Sequence, residues 1–263
     1  MKVGELESAL FERFPREDAE AWDHVGLSVG DPAAEVTGVA CALDATEATV
    51  REAVRVGANV LLTHHPVYIS APDTFAPAAP ERASSAAAVY EAIRAGVSII
   101  SMHTNLDRSH EARVALPALM SLEPMSSLEH TREPERTGLG SLCACEPVSL
   151  RALASHAAEV FGSQPRVWGD PDTYVARVAF LGGSMGDFGE LALAAGADAI
   201  VTGECGYHVA LDISARGLSV VLLGHDRSEE PFCRVLADVA VDAGVPANLV
   251  QIVPVPSQWW TVL

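Results

Sequence analysis

The sequence predicts an α/β fold with largely parallel sheets, and three observations support this. Short apolar runs alternate along the chain with stretches of helical periodicity. Most of these runs are continuously apolar, as expected for strands that are covered on both faces. A glycine follows each predicted helix, which is the usual helix stop signal. Repeated strand–helix–strand units form parallel sheets.

Eight strands are predicted from apolar runs of this kind. They cover 36–44, 58–66, 96–107, 137–146, 175–184, 197–204, 218–225 and 249–255. Helices are predicted between them from cap residues and glycine stops. They cover 47–56 after Thr46, a segment after Ser84 or Ser85 that ends at Gly96, 150–161 after Ser149, a segment after Asp187 that ends at Gly196, 207–216 and 228–243. The polar, proline-containing stretch 121–138 is predicted to link two α/β halves.

The charge balance disfavours two classes of partner. The chain of 263 residues has 17 Lys and Arg against 35 Asp and Glu, a net charge of −18. Nucleic-acid and anionic-membrane binding both need clustered basic residues, whereas metal cations suit an acidic chain. The acidic N-terminal residues argue against a signal peptide, and the odd count of five cysteines favours a reducing compartment. We therefore expect a cytoplasmic protein.

Metal-capable side chains lie at the carboxyl ends of four predicted strands or just beyond them. Ligands of open parallel sheets bind beyond the carboxyl ends of the strands, so these side chains should lie at one edge of a sheet. The four groups are His64 with His65, His103 with Asp107, Glu204 with His208, and His225 with Glu229. A single histidine at a strand end is usually an ordinary surface residue, but several such groups together favour a metal site.

The residue types and spacings indicate which metals such a site would bind. His64 and His65 are adjacent, so at a strand end their rings can diverge toward two neighbouring cations. Asp107 can bridge two ions with its two carboxylate oxygens. His225 and Glu229 are four residues apart, a spacing that lets both reach one site. Imidazole and carboxylate without thiolate suit Zn, Mn, Fe or Ni.

Other motifs are weaker. The loop Gly182–Gly186 follows a strand, but it lacks the pattern of a phosphate-binding loop and is interpreted as a tight turn. The sequence around Trp22 is interpreted as a packed N-terminal turn, and the role of His24 stays open. Cys143 and Cys145 are predicted to lie on one face of a strand in a structural role.

The chain as a whole resembles the GTP cyclohydrolase I type 2 homologues, also called Nif-three-like dinuclear-metal proteins. The motifs that carry the resemblance are WDHVGLSVG, LLTHHP, HTNLD, TGLG, VAFLGGS, ADAIVTGECGYHVALD and GHDRSE. The resemblance implies two divalent metal ions per subunit. It also implies the metal ligands His64, His65, Asp107, His225 and Glu229, with His103 beside the metals.

The resemblance implies an architecture as well: two interlocked three-layer α/β domains with largely parallel sheets. The first domain would comprise 1–128 and about 228–263, and the second 129–227, with the metal site in the cleft between them. Members of the family commonly form ring-shaped homohexamers. This sequence departs from the family pattern at His24, at Asp226-Arg227 and at Met185, which bears on substrate recognition rather than on the ligands.

The function expected on these grounds is that of a metal-dependent hydrolase. It would act on a nucleotide or related small molecule through a metal-activated water, as a GTP cyclohydrolase or a phosphodiesterase does. His103 would be the catalytic proton carrier. The candidate substrate contacts are His24, Glu204 and His208. The alternative is a non-enzymatic metal-binding ring that acts as a scaffold, chaperone or metal-handling protein.

Overall fold

The structure, a computed structural model, describes residues 1–254 and 259–260. Helices and strands alternate through most of this part of the chain. The helices are α1 Val3–Arg13, α2 Glu47–Arg55, α3 Ala83–Ala95, α4 Thr104–Asp107, α5 His110–Leu119, α6 Leu150–Val160, α7 Phe188–Ala194, α8 Tyr207–Ala215, α9 His225–Glu229 and α10 Phe232–Asp242. The strands are β1 Gly26–Val29, β2 Val39–Ala42, β3 Val60–Thr63, β4 Ser98–Ser101, β5 Pro124–Ser126, β6 Ser141–Ser149, β7 Arg166–Trp168, β8 Tyr174–Phe180, β9 Ala199–Thr202, β10 Ser219–Leu222 and β11 Val250–Ile252.

The chain divides into two compact units. The first comprises Met1–Leu106 and the C-terminal segment from Phe232, and the second comprises Asp107–Pro231. The sequence-based boundary at 128 therefore lies 22 residues beyond the observed one at Leu106. The predicted linker 121–138 lies inside the second unit, and its strand β5 pairs with β6 of the same unit.

The first unit is built on a five-stranded sheet with the order β1-β4-β3-β2-β11. The last four strands are parallel, and only β1 runs antiparallel, against β4. Successive side chains of a strand point to opposite faces. One face packs against α2 and α3 through Ala40, Ala42, Leu61, Ile99, Val50, Ala53, Ala88 and Ala92. The helix α10 contacts β2, β3 and β11, and it lies on the other face, with Cys41 of β2 close to Cys233 of α10.

The second unit is built on a six-stranded sheet with the order β5-β6-β8-β9-β10-β7. The pairs β8–β9 and β9–β10 are parallel, and the three outer pairings are antiparallel. The α/β class is thus confirmed, with a mostly parallel first sheet and a mixed second sheet. One face of the second sheet packs against α7 and α8 through buried apolar residues such as Ile200, Ala192 and Ile213.

Each of the eight predicted strands overlaps an observed strand, although the last residue of the segment 249–255 lies outside the described residues. Three strands were missed: β1, β5 and β7. All three are short edge strands, each paired antiparallel with its single neighbour. Such strands bury few side chains, so they leave only a weak apolar signal in the sequence.

Helix ends follow the local signals at some positions and not at others. Thr46 and Ser149 cap α2 and α6, since their side-chain oxygens accept from the backbone three residues on. The expected caps Ser84 and Ser85 instead lie inside α3, which begins after Arg82. The predicted helix 228–243 is divided at Pro231 into α9 and α10, because proline has no backbone N–H to continue the helical hydrogen bonds and its ring clashes with the preceding turn. Among the described residues, no helix is long and apolar enough to cross a membrane.

Candidate metal centre

Three histidines of the first unit lie where two central parallel strands end. His64 and His65 follow β3, and His103 comes two residues after β4, the strand beside it. The hydroxyls of Thr63 and Ser101 lie 2.8 Å apart across the two strand ends. Thr63 also bonds to the carbonyl oxygen of His65 at 2.8 Å, which holds the turn after β3. The sheet therefore brings together side chains that are 38 residues or more apart in the sequence.

Each of the three imidazoles is oriented by an oxygen at its Nδ1 atom. The partners are the carbonyl oxygen of Met102 for His64 at 3.0 Å, Asp44 Oδ1 for His65 at 2.7 Å and Asp23 Oδ1 for His103 at 2.9 Å. A carbonyl or carboxylate oxygen only accepts, so Nδ1 carries the proton in each ring. In a neutral imidazole the lone pair is then on Nε2, which is the arrangement of histidine ligands in metalloproteins.

The donor set of these histidines fits a metal ion. One ring nitrogen from each of His64, His65 and His103 lies within 4.8 Å of the others. His64 is fully buried, and its ring packs against that of Phe232 with 5.0 Å between centroids. Because imidazole nitrogens suit borderline divalent ions, this group could hold a metal. The grouping includes His103, which the resemblance had placed beside the metals and not among the ligands.

Asp23 organises the segment that carries His103. Its side chain is fully buried and accepts from His103 Nδ1, from the Thr104 backbone at 3.0 Å and from the Thr104 hydroxyl at 2.5 Å. Burial by itself would raise the pKa of Asp23, but the hydrogen bonds from His103 and Thr104 outweigh it and hold that pKa well below its usual value. Asp23 is therefore a carboxylate at neutral pH, and it is a suitable partner for the His103 ring.

The second unit contains another group of donors, at the carboxyl ends of β9 and β10. His225 Nε2 lies 3.1 Å from Glu229 Oε2, and His225 Nδ1 lies 3.0 Å from Glu204 Oε1. His225 has a carboxylate at each ring nitrogen, and it can donate a hydrogen bond to both only when the ring is protonated as an imidazolium. A cation between Nε2 and the Glu229 carboxylate satisfies the same pair with a neutral ring. This nitrogen–oxygen pair also suits a divalent ion.

The glycine-rich loop 182–186 supports Glu229. Gly183 has a φ of 63°, and a Cβ built there would overlap Glu229 Oε1. Its N–H donates to Ser228 Oγ at 2.9 Å, and the Ser228 hydroxyl donates to the carbonyl oxygen of His225 at 2.8 Å. The loop is thus a tight turn, as predicted, and the absence of a side chain at Gly183 allows the carboxylate to approach.

The remaining candidate residues lie in different surroundings. Asp107 is the half-buried last residue of α4, and it begins the second unit. His24 is exposed, and its ring packs against Tyr68 with 4.9 Å between centroids. His208 is exposed on α8 and contacts the ring of Tyr207. Glu204 joins the His225 pair, as described above.

Sequence reasoning missed Asp23 and Asp44, the carboxylates behind His103 and His65. Asp44 follows the carboxyl end of β2. The same rule that indicates the residues after the other strands, that ligands bind beyond the carboxyl ends of parallel strands, could therefore have found it. Asp23 precedes the edge strand β1 and reaches His103 from 80 residues away. Its only signal in the sequence was its place in the motif WDHVGLSVG.

Comparison with known proteins identifies the family to which the chain belongs. The family model described as Duf34/NIF3 (NGG1p interacting factor 3) matches residues 1–253. A protein of Streptomyces coelicolor named GTP cyclohydrolase 1 type 2 homolog is 34% identical over 242 residues, which cover 89% of this chain and 84% of that protein.

Solved structures are similar over the whole chain. A crystal structure of the Staphylococcus aureus hypothetical protein SA1388 matches with a TM-score of 0.88 at 24% identity, covering 100% of this chain and 99% of that one. The crystal structure of a Bacillus cereus protein related to NIF3 matches with a TM-score of 0.89 at 20% identity and the same coverage. At these identities the likeness shows a shared fold.

Proposed function

Because this chain belongs to the Duf34/NIF3 family, we propose that it is a metal-dependent hydrolase with two divalent ions per subunit. The substrate is a nucleotide or a related compound. The observation that carries the proposal is the histidine group of the first unit, in which every Nδ1 is held by an oxygen and one nitrogen per ring lies within 4.8 Å of the others. The name of the Streptomyces coelicolor relative agrees with this class of reaction.

Five residues are assigned as metal ligands in this proposal: His64, His65, Asp107, His225 and Glu229. Their nitrogen and oxygen donors suit Zn, Mn, Fe or Ni. Divalent ions bound there would lower the pKa of a bound water and polarise a substrate oxygen. That all five serve one centre follows from the family resemblance and is part of the proposal.

His103 is the proton carrier of the reaction. Its Nδ1–H is held by the buried Asp23 carboxylate, so the ring is oriented and Nε2 is the atom that accepts and returns a proton. Asp23 acts through His103 and is a positioning residue. Glu204 orients His225 and, with 58% of its side chain exposed, also contacts the substrate. His24 and His208 are proposed as further substrate contacts.

Elemental analysis of the purified full-length chain tests the metal assignment. We expect about two divalent ions per wild-type chain and a sharp reduction in His64→Ala and Asp107→Ala. The matched control is His156→Ala, which removes an exposed histidine of α6 and should leave the metal content unchanged. Wild-type protein that takes up no Mn, Zn, Fe or Ni would refute the proposal.

Turnover tests the hydrolase assignment separately. The metal-loaded protein is assayed with GTP and with a phosphodiester, alongside His103→Ala. Loss of turnover with the metal content retained supports catalysis through His103. Metal-loaded wild-type protein that turns over neither compound would favour the alternative, a metal-handling protein or scaffold.

A further inference from the structure

A large aromatic side chain remains exposed beside the histidine group of the first unit. Trp22 is 55% exposed, and its ring centroid lies 5.9 Å from that of His103. Single exposed apolar residues are common on protein surfaces and need no explanation by themselves. The position of Trp22 is different because the backbone around it is fixed to the same segment that carries His103.

Both ends of the turn that presents Trp22 are bound to Thr104, the residue after His103. The Glu20 N–H donates to the Thr104 hydroxyl oxygen at 2.8 Å. At the other end, Asp23 accepts from the Thr104 backbone and hydroxyl. The Asp23 N–H donates to the carbonyl oxygen of Glu20 at 2.9 Å, which closes the turn. The backbone that carries the exposed indole is therefore fixed next to His103, and the ring itself contacts the His103 ring.

The geometry of the contact leaves an indole face for another ring. The planes of Trp22 and His103 meet at 74°, an edge arrangement that covers at most one face of the indole. Stacking of a planar heteroaromatic ring on tryptophan is favourable and tolerates different ring systems. The net charge of −18 also makes a base a better recognition element than a phosphate group.

We propose that Trp22 is the residue on which the planar heteroaromatic part of the substrate stacks, beside His103. This inference rests on the proposed function and specifies its substrate class as a compound that contains a nucleobase or a similar ring. Trp22 would then determine specificity for the ring. The metal ligands and His103 would act on the reacting atoms.

The test is equilibrium dialysis of metal-loaded, full-length protein with GMP, AMP and ribose 5-phosphate. Ribose 5-phosphate lacks the base and otherwise matches the two nucleotides. We expect Trp22→Ala to weaken GMP and AMP binding about tenfold, from the usual strength of base–aromatic stacking, and to leave ribose 5-phosphate binding unchanged. Trp22→Phe should recover most of the lost affinity.

Two controls separate this inference from the proposed function. Trp260→Ala removes another exposed tryptophan, 81% exposed, and should not change nucleotide binding. Metal content is measured for every variant, so loss of the metal centre is detected independently of stacking. Equal GMP affinity in metal-loaded wild type and Trp22→Ala would overturn the inference, and so would metal-loaded wild type that binds neither nucleotide.

Discussion

Two glycines of one turn allow the support of Glu229 to be tested with a matched pair of variants. Gly183 and Gly186 both have positive φ values, 63° and 47°. A Cβ at Gly183 would overlap Glu229 Oε1 and lie 3.3 Å from His225 Cε1, whereas a Cβ at Gly186 meets nothing within 4 Å. Alanine at either position adds a similar backbone strain, but only Gly183→Ala should displace the carboxylate.

The expected magnitudes follow from these contacts. The left-handed backbone conformation costs an alanine about 1 kcal/mol, so Gly186→Ala should lose about that much stability. Gly183→Ala should lose roughly a further 1–3 kcal/mol, because the added methyl group overpacks the buried Glu229 side chain. If Glu229 is a metal ligand, its displacement should also weaken metal binding by roughly 10- to 100-fold, as changes in ligand support commonly do.

The assay is urea unfolding of the metal-free protein together with a metal titration of each variant. The unfolding free energy reports the steric contact, and the titration reports its consequence for the proposed centre. Equal stability and equal metal affinity in Gly183→Ala and Gly186→Ala would refute the reasoning. If the two variants differ in unfolding free energy but bind metal equally well, the contact with Glu229 is supported and Glu229 is not a metal ligand.

Three further predictions concern other parts of the molecule. Burial alone would raise the pKa of Glu129, but the hydrogen bonds from Arg108 and from the Leu139 N–H outweigh burial and lower it. The Glu129 carboxylate therefore stabilises the fold above its unfolded pKa of about 4.3, and this stabilisation is lost as the pH falls further. Glu129→Gln should lower the free energy of unfolding by about 2 kcal/mol at pH 7 and by progressively less below about pH 4. Urea unfolding that shows the same loss at every pH would contradict the ion pair with Arg108. Thr46→Ala should cost about 1 kcal/mol in thermal unfolding, since Thr46 accepts from the Thr49 N–H at 3.1 Å, and an unchanged melting temperature would argue against the cap. The homohexamer stays a prediction from the family resemblance. Light scattering of the purified protein that gives the mass of a single 27.7 kDa chain would contradict it.

The sequence by itself determined the α/β class, the main strands and the nature of the candidate donors. These properties are local. A continuous apolar run predicts a strand that is covered on both faces, and the residues directly after the run lie at the carboxyl end of that strand. His64, His65, His225 and Glu229 could all be nominated in this way. The central strands bury most of their side chains, so their sequences are clearly apolar. Short edge strands such as β1 bury fewer side chains, and their sequences give no clear apolar run.

Only the tertiary structure decided which groups face one another. The partner of His103 is 80 residues away in the sequence, and that of His65 is 21 residues away. These pairings depend on the order of strands in the sheet and on the turn that carries Asp23, neither of which has a periodic signature. The same holds for Gly183, whose sequence context indicates a turn but not the carboxylate that packs against it. A hydrogen bond between distant residues depends on the packing of the whole unit, and local sequence patterns carry no information about that packing.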